Sequence, residues 1–136
     1  MNVKPVLIAY AVTALVFLAL DAIWLTAMAD RLYRPALGRL MLDRFELAPA
    51  VAFYAVYLVG VVVFAVMPGL ESRRATTALG LGALLGLVAY ATYDLTNQAT
   101  LRDWPWRVTL ADLCWGTLVT GVAAAVGCRV TISLID

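Results

Sequence analysis

Histidine is absent from the 136 residues. Its absence removes the commonest acid–base group at neutral pH and the commonest transition-metal ligand. Charge is scarce as well: Asp, Glu, Lys and Arg make up 14 % of the chain and nearly cancel, to a net +1, where a soluble domain carries about 25 %. The basic residues stand singly or in pairs, without the basic stripe of a nucleic-acid binder, so no nucleic-acid partner is expected. Cysteine is limited to Cys114 and Cys128 on one predicted helix. Fourteen positions of helix hold them about 21 Å apart, far beyond a disulfide's reach, and they read as small apolar side chains. The chain also lacks a paired-aspartate metal motif such as DxxD and a candidate serine nucleophile. No cofactor is implied, and an enzymatic role is left open with the balance against it.

What is present in excess is hydrocarbon. Apolar residues make up 64 % of the chain, with a mean hydropathy of +0.91. A small soluble domain leaves too much of its surface in water to hide that much apolar area. A lipid solvent removes the difficulty. Four apolar runs, at about 5–29, 47–67, 75–99 and 108–130, each have the length needed to cross about 30 Å of hydrocarbon. The first starts after Lys4 but is too long for the apolar part of a signal peptide, and no small-residue cleavage site ends it. Helices are the only candidates, because four spans cannot close a barrel and no run alternates with period two. The expected fold is therefore all-α, a transmembrane four-helix bundle forming a single membrane domain over 1–136. Between the first and second spans, Leu37, Leu40 and Met41 recur at helical spacing beside Arg34, Arg39 and Arg44. That pattern fits either a short interfacial helix or a plain loop.

Three carboxylates interrupt the apolar runs: Asp21, Asp94 and Asp112. Each costs a few kcal/mol at membrane depth and belongs in the bundle interior. Following the chain back and forth, the first and third spans end on the side where the second and fourth begin. At 1.5 Å per residue the three aspartates lie roughly 12, 8 and 6 Å below that one surface, and so share one half of the bilayer. Other polar and aromatic groups fall in the same half. Trp24 lies one turn from Asp21, Tyr54 and Tyr57 follow the start of the second span, and Trp115 and Gly116 share a face with Asp112. On the third span Tyr90, Asp94 and Asn97 share a face, with Tyr93 beside them. A helix dipole can account for Asp112 near a helix start, but it has the wrong sign for Asp21 and Asp94 near helix ends. The ten candidates for a ligand or proton site are thus Asp21, Trp24, Tyr54, Tyr57, Tyr90, Tyr93, Asp94, Asn97, Asp112 and Trp115. A network that only locks the helices together is the competing reading. Tyr33, Trp104 and Trp106 are expected in the interfacial aromatic belt.

Gly82 and Gly86 form a GxxxG pattern suited either to packing within the bundle or to a homodimer contact. Arg31, Arg34, Arg39, Arg44, Arg102 and Arg107 outnumber Lys4, Arg73, Arg74 and Arg129 on the other side. The side carrying 30–46 and 100–107 is therefore the expected cytoplasmic one.

The string Tyr93-Asp94-Leu95-Thr96-Asn97, followed by Ala99-Thr100-Leu101, resembles the hallmark of a family of small bacterial membrane proteins, the domain of unknown function DUF2177. Asp21, Ile23-Trp24-Leu25, Phe53-Tyr54, Tyr57, Gly82, Gly86, Tyr90, Thr109, Asp112 and Trp115-Gly116 extend the resemblance over essentially the whole chain. It implies a bacterial inner-membrane protein of four helices and assigns no activity. Three functions stay open on the residues. The first is binding or transport of a small or lipidic ligand, with proton coupling through the aspartates. The second is a lipid-modifying enzyme or its accessory subunit. The third is a structural partner subunit with the polar cluster as interhelical glue. The bilayer itself is a partner in all three.

Overall fold

The computed structural model describes residues 2–136. It is a bundle of four long, apolar helical paths, Val3–Leu40, Leu47–Ser72, Ala75–Thr100 and Trp106–Ile135, with no strand among the described residues. The first path opens at Asn2, whose side-chain oxygen accepts the Lys4 N–H at 3.2 Å. Its first segment, α1 (Val3–Met28), does not stop where the apolar run stops. A π-helical turn, Ala29–Tyr33, joins it to α2 (Arg34–Leu37) and a 3-10 turn, Gly38–Leu40. Of the two readings left open for the segment between the spans, the helical one is present, and it is continuous with the first span. α2 ends where Gly38 takes φ +46°, a conformation in which a side chain is strained.

The second path has the same construction. α3 (Leu47–Val61) passes through a π turn, Val62–Val66, into α4 (Met67–Ser72). Pro68 lacks an N–H and its ring crowds the carbonyl one turn back, which the wider π turn accommodates. The helix thus runs past Pro68-Gly69, beyond the expected boundary at 67, and ends at Arg73 in the left-handed region. The last two spans are regular: α5 (Ala75–Thr100) and α6 (Trp106–Ile135).

α6 is the axis of the bundle, packing along its length on α5 and on α1. Glycine allows the α5–α6 approach. A Cβ on Gly82 would stand 2.8 Å from the Cβ of Ala124, and one on Gly86 would collide with the backbone of Gly116. The GxxxG pattern is therefore occupied within this chain. The main core, with Phe17, Val61, Val66, Val119 and Cys128 fully buried, fills the half of the bundle nearer the α4 end. A smaller cluster of Leu32, Trp104 and Val108 closes the opposite end. Trp104 is 8 % exposed and donates its indole N–H to Thr109 at 3.1 Å, so it plugs the bundle instead of joining the interfacial belt, where the 60 % exposed Trp106 fits.

Between these two clusters the packing loosens. α3 touches α1 sparsely and stands off from α5 and α6; the second path closes on its neighbours from Val62 onward. Only Tyr57, Leu58 and Val61 of α3 are buried. The gap left by this splayed segment is where the polar residues collect.

Candidate functional site

Asp21 is the meeting point of three helices. Its side chain, 6 % exposed on α1, accepts the Trp115 indole N–H from α6 at 3.0 Å on Oδ1 and the Tyr54 hydroxyl from α3 on Oδ2. Asp112 is the second such point. Its Oδ1 accepts the Tyr33 hydroxyl at 2.5 Å, and that hydroxyl in turn accepts the Trp24 indole N–H at 2.9 Å. The two networks meet through their tryptophans, which stack with centroids 4.6 Å apart and planes 7° from parallel.

Tyr33 reaches this position because of the π turn. Arg34 N–H closes a wide turn onto the Ala29 carbonyl, which inserts a residue and rotates the following helix relative to α1. Leu32 thereby packs on Trp104 and Val108, and the Tyr33 ring turns back towards Trp24. Tyr33 belongs to the site, which corrects its placement in the interfacial belt.

Asp94 stands apart. It is fully buried on α5, and no N–H or O–H of the described residues reaches either carboxylate oxygen. Its polar neighbour is the Asp112 carboxyl on α6. Two carboxylates side by side in a low dielectric repel; a proton held between them or a bound cation relieves the repulsion.

A cavity of about 340 Å³ lies among these groups. Asp21, Trp24, Tyr54, Tyr90, Tyr93, Asp112 and Trp115 line it, so seven of the ten residues singled out in the sequence come together. Three do not line it. Asp94 lies outside the wall, beside Asp112. Tyr57 turns to the core, sharing a 2.8 Å hydrogen bond with Thr120 and packing edge-on against Phe17. Asn97 is half-buried, and its carbonyl accepts the Leu101 N–H at the end of α5. Leu25, Tyr33, Phe53 and Ala89 complete the wall. Phe53 adjoins Tyr54 in the sequence and could have been included on that ground; Tyr33, beyond the apolar run, carried no such signal.

The rim of the cavity is exposed: Leu25 39 %, Phe53 49 % and Tyr93 59 %. These residues lie within the apolar spans, where an exposed side chain meets acyl chains. These exposed rim residues come from α1, α3 and α5, on the side where α3 stands off from its neighbours. No Lys or Arg lines it. Among the described residues no three Cys, Asp or Glu side chains converge as a metal site would require.

A family model described as "Predicted membrane protein (DUF2177)" matches residues 6–129. The chain belongs to this family. The match spans all four helices, including every cavity-lining residue of this family member, as the resemblance of the Tyr93–Asn97 string implies. No curated protein and no solved structure gives a match.

Proposed function

We propose that this membrane protein binds an amphiphile drawn from the bilayer, with the polar end in the carboxylate cavity and the apolar part leaving through the gap beside α3. The observation that carries the reading is the cavity of about 340 Å³ with two nearly buried carboxylates inside and a rim exposed to lipid. Its volume falls in the range of small-molecule sites, which are lined mostly by apolar and aromatic groups with a few placed polar ones. Asp21 and Asp112 accept donors that tie helices together, whereas Asp94, with no N–H or O–H partner, is not accounted for by that role. A site that exchanges a proton for a ligand uses such a carboxyl, and uptake coupled to proton release at the Asp94–Asp112 pair is part of the proposal. The excess of arginines at 30–46 and 100–107 puts that side, and the half of the membrane holding the cavity, towards the cytoplasm of a bacterial inner membrane.

Native mass spectrometry of the full chain, released from neutral detergent after exposure to bilayer lipids, tests the binding. The expected result is one defined added mass on the native chain, lost in Ala89→Phe, which fills the cavity and leaves every polar group in place. Equal adducts on both proteins, or none on either, overturn it.

A further inference from the structure

The hydrogen-bond balance of the cavity specifies what it can hold. Six lining side chains carry a donor, and four of them are already engaged by the protein's own acceptors. Trp24 donates to Tyr33, Tyr33 to Asp112, and Tyr54 and Trp115 both to Asp21. What remains free is almost entirely acceptor: Oδ2 of Asp112, the spare lone pairs of both carboxylates, and the phenol oxygens. Of the lining residues only Tyr90 and Tyr93 keep hydroxyls outside these networks, and Tyr93 stands at the rim. With no Lys or Arg in the wall, a phosphate or carboxylate entering here would meet two carboxylates and no cation. The Trp24–Trp115 pair adds electron-rich aromatic faces, which attract cations.

Resting on the reading above, we infer that the polar end of the ligand is an ammonium group, which donates to Asp21 and Asp112 beside the stacked indoles, and that anionic head groups are excluded. An ammonium matches both deficits at once. It supplies the donors the acceptors lack, and it balances negative charge that no protein cation offsets. Asp94, buried beside Asp112 with no donor of its own, adds to the shortage of donors from the second layer. An uncharged hydroxyl would satisfy the acceptors and leave the charge unbalanced.

Thermal unfolding of the full chain in maltoside micelles, with dodecylammonium, dodecyl phosphate, dodecanol and methylammonium as probes, tests the inference. Dodecylammonium is expected to protect the fold saturably, and Asp112→Asn to weaken its apparent affinity by at least about tenfold, the loss of one charge-assisted hydrogen bond. Dodecyl phosphate and dodecanol should give no saturable protection. Equal protection by either of those two overturns the ammonium assignment and leaves an amphiphile pocket standing. Equal protection by methylammonium keeps the ammonium and overturns the bilayer as its source. If no dodecyl probe protects, both readings fall. Should Asp112→Asn fail to fold, Tyr54→Phe decides: it releases Oδ2 of Asp21 and keeps the ring, so affinity for dodecylammonium should hold or tighten. A tenfold loss would show the hydroxyl acting as a donor to the ligand, and would overturn the inference.

Discussion

Trp24 and Trp115, on different helices and far apart in the chain, stack face to face at 4.6 Å while their N–H groups point to different partners, Tyr33 and Asp21. Each indole is thus fixed by packing on one side and by a hydrogen bond at its edge. The pair holds α1 against α6 beside the cavity and joins the Asp21 network to the Asp112 network. Neither ring is held by local structure alone, because each depends on a partner from another helix.

A parallel pair this close couples the electronic transitions of its two rings. Near-ultraviolet circular dichroism of the native chain in micelles should therefore show an exciton signature, abolished equally by Trp24→Phe and Trp115→Phe. Trp106→Phe, at a 60 % exposed ring outside the pair, should leave it unchanged. Trp115→Phe also removes a donor to a buried carboxylate and should destabilise by about 1–3 kcal/mol in reversible unfolding. Survival of the signature in either pair mutant would contradict the stacking.

Asp94→Asn separates a repulsive pair from a supporting one. The substitution removes one of two neighbouring carboxyls and adds an amide that can donate to Asp112. The native chain should consequently be no more stable than the variant, and the variant should gain about 1 kcal/mol in a denaturant titration. Asp21→Asn has the opposite sign, because Asp21 already accepts from Trp115 and Tyr54 and its amide would oppose one donor with another. A loss of stability in Asp94→Asn comparable to that in Asp21→Asn would show that Asp94 holds the bundle together.

The contrast between these aspartates marks how far the sequence could be read. Four long apolar runs leave a helical bundle as the only solution in lipid, and counting residues from the span ends brings Asp21, Asp94 and Asp112 into one half of the bilayer. Helical periodicity could not go further at the π turns. Each turn shifts the phase of the helix beyond it, so Tyr33 enters the site and the second path outlasts Pro68 without any signal in a 3.6-residue pattern. Nor does a shared helix face say what lies opposite it. Tyr57 finds Thr120 and Tyr54 finds Asp21 from three positions apart on the same segment, and only the partner helices distinguish them. The GxxxG stripe is the same problem in another form: its spacing shows that something approaches closely, and the structure supplies α6.

That approach makes the glycines unequal. A Cβ at Gly86 collides with the Gly116 backbone, whereas one at Gly80, on the same helix, meets nothing within 4 Å. Gly86→Ala must push α5 off α6 and should cost about 1–3 kcal/mol, as overpacking of a tight interior does. Gly80→Ala should be neutral or slightly stabilising. Unfolding of both variants in micelles checks the pair. Equal stability would mean that α5 and α6 are not in backbone contact.

Sidedness can be read by single cysteines in a chain whose Cys114 and Cys128 are replaced by alanine. Arg39 lies in the helical extension of the first span and Ser72 at the end of α4, on opposite ends of the bundle. Both are exposed, so a membrane-impermeant maleimide can reach whichever faces the reagent. With residues 30–46 in the cytoplasm, Arg39→Cys is labelled in inverted membrane vesicles and protected in intact spheroplasts, and Ser72→Cys behaves the other way round. The reverse pattern would turn the cavity towards the outer half of the membrane. An amphiphile would then be drawn from the outer leaflet, and the arginine excess would have a cause other than retention in the cytoplasm.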